Sequence, residues 1–331
     1  MSSTQPTLSI DIGGTRVKLG IVQNGIVTNK TVVNVDKSNS FAKQLDALLP
    51  VIQDILQSNG IVINPSDSTC ANSTNPNTNF GGIGFSFPGI VNPQTFSLTP
   101  VASKYLDAGS VDIREWTQKH FRCPVVIEND AISALLGELA FGCGKGIKDA
   151  VMLIIGTGLG TAATMDGKLV RGRNNKAGQL CGHMTINRNG RLCNCGNRGC
   201  LEAYAGGWAV DSDTRRQVAK DKNSLLANYP KIDFKALAEC VAKQDYYATK
   251  LRDVVIEHWA TLLANLIRAY DPELIILSGG AMNSPTIFYD PLTTRVQQDI
   301  FIAPNQIQFA LAQDPETSVL LGLHHLLVQP K

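Results

Sequence analysis

A chain of 331 residues with 44% hydrophobic content can bury sizeable cores and is long enough for two domains. Its 30 basic and 28 acidic side chains are well mixed and leave a formal charge of +2, so there is no electrostatic footprint for nucleic acid or an anionic membrane surface. No apolar run reaches membrane-spanning length, and residues 1–7 (MSSTQPT) lack the charged-then-apolar pattern of a secretory signal. Small-molecule chemistry in a reduced, cytoplasmic compartment is therefore expected.

The first element is a hairpin: residues 8–12 alternate like a strand, Gly13-Gly14-Thr15 turn, and residues 16–22 resume. Glycines in such a turn let backbone N–H groups approach phosphate oxygens. Asp11 at its mouth cannot bind phosphate directly and would hold Mg²⁺ or its waters. An ordinary tight turn with a solvated aspartate is the alternative. Residues 64–79 (NPSDSTCANSTNPNTN) are polar and aperiodic, an exposed loop. The glycosylation acceptor Asn72-Ser73-Thr74 within it would never meet the machinery in a cytoplasmic chain.

Residues 125–131 (VVIENDA) form an apolar strand ending in polar residues just before a helical run from Ile132 to Phe141. Ligands of open α/β sheets gather at that edge, and the positive helix N-terminus would keep Asp130 ionised and ready to accept a proton. Plain capping by Asn129 or Asp130 explains the same pattern. Gly142 to Gly146 is no P-loop, because no Ser or Thr follows Lys145.

A second strand–glycine turn–strand unit follows at Ala150–Ile155, Gly156-Thr157-Gly158-Leu159-Gly160-Thr161 and on to Met165. It implies a duplicated fold. Because the glycines lead into a strand and not a helix, the pattern is not a dinucleotide fingerprint.

His183, Cys193, Cys195 and Cys200 follow His-x9-Cys-x-Cys-x4-Cys spacing. One imidazole and three thiolates are what a closed, structural, tetrahedral Zn²⁺ takes, and Gly196 and Gly199 let the loop turn sharply. Disulfides are the alternative, disfavoured in a reduced compartment. Cys70, Cys123, Cys143, Cys181 and Cys240 show no second ligand spacing and read as buried or incidental thiols. Leu251 to Tyr270 carries a helical stripe of Leu251, Val254, Val255, Trp259, Leu262, Leu263, Leu266 and Ile267, which is core. Asp271-Pro272 ends it, residues 274–277 form a buried strand, and Ser278-Gly279-Gly280-Ala281 gives another glycine turn where a base or ribose could lie against the backbone.

In their order, Asp11-Ile12-Gly13-Gly14-Thr15, Glu128-Asn129-Asp130-Ala131, Gly156 to Gly160, the His-Cys-Cys-Cys cluster and Leu277-Ser278-Gly279-Gly280 resemble the ROK family of bacterial sugar kinases and sugar-responsive repressors, from about residue 8 to the end. The resemblance implies an α/β, two-domain, actin-like and hexokinase-like (ribonuclease H-like) fold with a structural zinc site, closing over a sugar and MgATP. The expected domains are 1–120 plus 315–331, with a terminal helix from Glu316 to Val328 packing Leu320, Leu323, Leu326 and Leu327 onto the small domain, and 121–314. ROK repressors carry a DNA-binding domain ahead of the first phosphate motif. Only seven residues stand there in this chain, which favours the kinase branch, with no nucleic-acid or membrane partner and a homodimer as the expected assembly.

By the same resemblance Asp130 is the catalytic base, acting on a sugar hydroxyl, most often O6, and Asn129 binds neighbouring hydroxyls. Asp11 organises Mg²⁺, and Gly13, Gly14, Thr15, Gly156, Thr157 and Gly158 stabilise phosphate oxygens, with Lys18, Gly279 and Gly280 completing the nucleotide contacts. His183, Glu202, Gly89 and Gln179 complete the sugar site, and Gly84 and Pro88 belong to the segment that lines it. The family's usual Ala-Gly-Glu-x-Gly-His is altered to Ala177-Gly178-Gln179-Leu180-Cys181-Gly182-His183. A neutral amide donates as well as accepts, which changes the hydroxyl pattern it satisfies. The expected activity is an ATP-dependent hexose kinase of glucokinase type, with fructokinase or N-acetylhexosamine kinase as alternatives within the class and a non-catalytic sugar sensor outside it. A redox or metal-storage protein would leave the glycine turns unexplained.

Overall fold

The computed structural model describes residues 5–36, 38–61, 79–101, 105–218, 223–300 and 307–329. Most of the polar stretch expected to be a loop, with Asn72 and Cys70, lies outside these residues; Asn79 is described and exposed. The chain divides into two compact units, Met1–Lys145 with Arg173–Asn175 and Gln313–Lys331, and Gly146–Gly172 with Lys176–Ala312.

In the first unit β1 (Thr7–Ile12), β2 (Arg16–Gln23) and β3 (Ile26–Asn34) form the expected antiparallel meander. Helix α1 (Phe41–Ser58) begins at Ser40, whose hydroxyl accepts from Lys43 N at 3.3 Å. β4 (Ile83–Phe87) then pairs parallel to β1, and a hairpin of β5 (Gly89–Asn92) and β6 (Ser97–Pro100) leads to α2 (Ile113–Phe121). β7 (Val125–Asn129) adds parallel to β4, giving the order β3-β2-β1-β4-β7, and α3 (Asp130–Phe141) follows without a loop. Leu8, Ile10, Phe41, Ile52, Phe85 and Phe87 are fully buried in one core.

The second unit repeats the plan. β8 (Ala150–Ile155), β9 (Leu159–Met165) and β10 (Lys168–Leu169) form the meander; α4 (Glu202–Ala205), α5 (Gly207–Val218), α6 (Phe234–Ala242) and α7 (Tyr246–Tyr270) precede β11 (Leu274–Ser278), α8 (Pro285–Asp299) and β12 (Gln308–Leu311). The sheet order is β10-β9-β8-β11-β12, with β8, β11 and β12 parallel. Helix α7 starts earlier than the apolar stripe suggests, because Asp245 caps it by accepting from Ala248 N. Val255, Trp259, Leu262, Leu263, Leu266 and Ile267 are buried as the spacing requires, whereas Val254 is exposed and Leu251 only partly buried. Trp259 packs edge-on against Phe234 and Phe288 and donates its indole N–H to Ala205 O at 2.9 Å, so the largest side chain of this core leaves no polar atom unpaired.

The last helix, α9 (Ser318–Val328), returns to the first unit. Ser9 Oγ donates to Leu320 O, and Gly84 permits the close approach of Leu323, whose Cβ would sit 2.8 Å from a Cβ at that glycine. Leu320 and Leu323 are buried, Leu326 and Leu327 half-buried. The expected break after residue 120 falls instead after Lys145, and the return begins at Gln313. The reason is that β7 is the fifth strand of the first sheet and α3 packs along α9, held by Glu138, whose buried carboxylate accepts from Gln313 N and Ser318 Oγ. No described helix is long and apolar enough to cross a membrane.

Candidate active site

Two clusters of predicted residues stand at the strand ends of the first unit. Asp11, one residue before the end of β1, accepts a hydrogen bond from Ser86 Oγ at 2.6 Å and faces Lys18 in the β1–β2 register. Burial raises the Asp11 carboxyl above its usual range, while Ser86 and Lys18 pull it back. Lys18 itself pairs with Glu316 at 2.7 Å. The turn closes through Gly13 N donating to Arg16 O at 2.9 Å, and Tyr105 Oη donates to Gly13 O at 2.7 Å. Gly14 is half-buried and Thr15 exposed.

At the end of β7, Asn129 is the N-cap of α3, its Oδ1 accepting from Ala131 N at 2.9 Å and Ile132 N at 3.1 Å. Asn129 Nδ2 donates to Gly89 O at 3.0 Å and to Asp130 Oδ1 at 2.9 Å, and Asn129 N donates to Glu128 Oε1. Asp130 is the first helical residue, two positions ahead of the expected start at Ile132, and Ala131 N also donates to its Oδ1. The asparagine caps the helix, and its amide N–H also orients the aspartate carboxylate. Gly89 joins this cluster through its carbonyl, whereas Gly84 serves packing against α9.

In the second unit Gly156 N donates to Gly158 O at 3.1 Å, closing the second glycine turn, and Thr157 is exposed. The start of α5 holds this turn through Gly207 N to Gly156 O and Trp208 N to Thr157 O. Gly279 has φ of 94°, and a Cβ there would collide with Ile155 O, so only glycine fits where β11 passes the end of β8. Gly280 opens a 3₁₀ turn, Gly280–Asn283.

The ring nitrogen of His183 and the sulfurs of Cys193, Cys195 and Cys200 all lie within 4.8 Å of one another. Two short bridges, Thr185 with Cys200 and Leu192 with Arg198, fold the knuckle, and Gly196 and Gly199 sit at positive φ inside it. Burial raises the Cys193 and Cys200 thiols, with the neighbouring sulfur of Cys195 adding to it, so adjacent thiolates form here only against a cation. The group could hold one tetrahedral metal ion. A 3₁₀ turn, Cys181–His183, leads into the histidine, while Gln179 is buried next to Gly178, which has φ of 77°. Glu202 is buried, with Oε2 accepting from Leu159 N at 2.8 Å and Oε1 from Trp208 Nε1 at 3.0 Å. Cys123, Cys181 and Cys240 are buried and Cys143 is exposed.

Sequence reasoning passed over Ser86, Tyr105 and Trp208, and gave Glu128 no role beyond its place in the motif. A signal for Ser86 existed, since it is the one hydroxyl in the apolar strand IGFSF.

Two mixed sheets in the same 3-2-1-4-5 order, each with a glycine turn after its first strand, define the actin-like, hexokinase-like α/β class. The ROK family model matches residues 67–329, and the chain belongs to the ROK family. It is 30% identical over 298 residues to a glucokinase of Thermotoga maritima, covering 87% of this chain and 86% of that one. It is also 30% identical over 245 residues to a xylose repressor of Caldicellulosiruptor bescii, covering 73% of this chain and 61% of that one. Among solved structures, a ROK family glucokinase from Streptomyces griseus in complex with glucose and AMPPNP superposes with a TM-score of 0.79, at 24% identity, covering 97% and 98% of the two chains.

Proposed function

We propose that this protein is an ATP-dependent hexose kinase of glucokinase type that phosphorylates a sugar hydroxyl, O6 by preference. The observation that carries the reading is the Asn129–Asp130 pair, where a capping amide aims a carboxylate at the strand-end edge of the first sheet. The Thermotoga maritima glucokinase, similar along nearly the whole chain, supports it.

In this reading Asp130 accepts the proton as the sugar oxygen bonds to the γ-phosphorus, while the bridging P–O bond breaks and ADP departs. Asn129, fixed by Gly89 O and its cap bonds, orients both the base and a neighbouring hydroxyl. The turns at Gly13 to Thr15 and Gly156 to Gly158, each closed by the N–H of its first glycine, offer the N–H groups of Gly14, Thr15, Thr157 and Gly158 to phosphate oxygens, with Gly279 and Gly280 beside the nucleoside and Lys18 as a nearby positive charge. Asp11 suits a divalent cation, because its buried carboxylate is an oxygen donor whose ionised form a cation would favour. Mg²⁺ there would neutralise charge on the β- and γ-phosphates.

His183 and Gln179 supply further sugar contacts. Glu202 belongs to the same set: its two oxygens each accept one bond, from Leu159 N and the Trp208 indole, and a carboxylate keeps lone pairs for a sugar hydroxyl. The His183, Cys193, Cys195, Cys200 group fits a structural zinc by donor chemistry and proximity, and a homodimer completes the reading on the strength of the family resemblance alone.

The test is ADP release from MgATP by zinc-loaded protein with glucose, mannose, fructose, allose, N-acetylglucosamine and N-acetylmannosamine. Preference for glucose is expected. Preference for fructose or an N-acetylhexosamine moves the acceptor assignment to the alternative kinases, and sugar binding without ADP release with any of them overturns the kinase reading in favour of a sensor.

A further inference from the structure

We propose that Tyr105 is a positioning residue for the nucleotide: its hydroxyl pins the peptide between Gly13 and Gly14, which keeps the Gly14 N–H turned to the phosphate side. The proposal rests on reading Gly13 to Thr15 as a phosphate turn.

Tyr105 Oη donates to Gly13 O at 2.7 Å, from 92 positions away in the chain. The bond fixes more than one atom. A trans peptide is planar, so its C=O and the following N–H point in opposite directions, and no described peptide bond is cis. Holding Gly13 O towards Tyr105 therefore holds the Gly14 N–H away from it. A Gly-Gly peptide is the one most free to rotate as a unit, because neither flanking residue has a Cβ to oppose it. Rotated, it would present a carbonyl oxygen where a phosphate needs a donor. The other carbonyls of the turn are held as well, Thr15 O by Val35 N at 2.9 Å and Arg16 O by Gly13 N at 2.9 Å. Tyr105 supplies the one side-chain clamp in this set, and the turn is preorganised before a ligand arrives.

The clamp is itself built to stay in place. Tyr105 has φ of 52°, a left-handed conformation that a bulky side chain adopts only when its surroundings impose it. Its ring packs against Phe41 and Phe87, with centroids 5.1 and 6.1 Å away. Its carbonyl accepts from Ala108 N at 2.9 Å, and Asp107 Oδ2, two residues on, accepts from Phe41 N at 2.8 Å at the start of α1. Burial pushes the phenol up to about 12, so the hydroxyl keeps its proton and remains a donor at neutral pH.

Tyr105→Phe removes the hydroxyl and leaves the ring packing, and it is tested by calorimetric titration with AMPPNP and, separately, with the preferred sugar, alongside thermal melts. AMPPNP affinity should fall about fivefold to tenfold, the scale of one neutral hydrogen bond, with sugar affinity and melting temperature close to those of the unaltered protein. Unchanged AMPPNP affinity overturns the proposal, and so does an equal loss of both affinities, which would make Tyr105 a packing residue. The Gly14 amide signal in ¹⁵N–¹H spectra gives a readout that needs no nucleotide. In Tyr105→Phe it should move or split while the Gly158 signal stays where it was; a Gly14 signal that does not change overturns the pin. Should the unaltered protein bind no AMPPNP, the kinase reading fails while the Gly14 signal still decides whether Tyr105 holds the turn.

Discussion

Asn129 Nδ2 donates to Asp130 Oδ1 at 2.9 Å, while Oδ1 of the same amide caps the helix that Asp130 begins. One side chain thereby sets both the start of α3 and the direction of the carboxylate. The two duties can be separated by mutation, because a serine can cap but has no amide N–H to give.

Asn129→Ser should retain most of the cap energy, so its melting temperature should lie close to that of the unaltered protein, yet turnover should fall roughly ten- to a hundredfold as the base loses its orienting donor. Asn129→Ala should lose the cap as well, at about 1 kcal/mol. Asp130→Asn should fold and bind sugar but lose about three orders of magnitude or more in turnover. Steady-state ADP release and thermal melts on the same preparations check all three, and near-normal turnover in Asp130→Asn would remove it from the base role.

Ser86 Oγ opposes the burial that raises the Asp11 carboxyl. Ser86→Ala should raise Asp11 further, so the acid limb of the pH–rate profile should move to higher pH, with the alkaline side unchanged. The stability sign is opposite to that of a paired carboxylate: a native pKa above the unfolded value means that ionised Asp11 costs stability, and this cost disappears as pH falls through the native pKa. A pH–rate profile of Ser86→Ala that overlays the original would take Asp11 out of the activity.

His324 is buried beside Phe141, with Nδ1 2.8 Å from Thr7 Oγ1 and no hydrogen-bond partner for Nε2 among the described residues. Burial, helped by the adjacent His325, lowers its pKa from 6.5 to about 4. A depressed value means the unfolded chain takes up a proton that the native imidazole refuses. Stability is then intact above about 6.5 and is lost as pH falls from about 6.5 towards about 4. Urea midpoints across that window should decline, and His324→Gln should flatten the slope; an equal slope in the variant would place the loss elsewhere, His325 being the next candidate because burial lowers it too.

If the His183, Cys193, Cys195 and Cys200 group holds zinc, elemental analysis should find about one equivalent per chain, and Cys195→Ser should lower that content. The cost to stability should exceed that of an ordinary surface Cys→Ser change, since removing one ligand leaves the other thiols crowded. Full stability with no bound metal would make the cluster a set of packed thiols.

Much was legible in the chain itself. An alternating run broken by Gly13-Gly14 and a continuous apolar run broken by Gly156 to Gly158 mark both hairpins, and the cysteine spacing marks a group that the fold does bring within 4.8 Å. Such signals survive because they are local: a turn needs its glycines within a few residues, and this knuckle has all its ligands between His183 and Cys200. Less local features were misplaced or missed. The unit boundary moved from 120 to Lys145 because β7 pairs with β4 and α3 packs against the returning α9, partners far away in sequence. Ser86 reaches Asp11 across 75 positions, and Glu202 reaches Leu159 across 43. Residue type determined which groups could do chemistry. Only the pairing of distant strands decided which donors each carboxylate meets, because a hydrogen bond is formed by distance in space and carries no trace of separation along the chain.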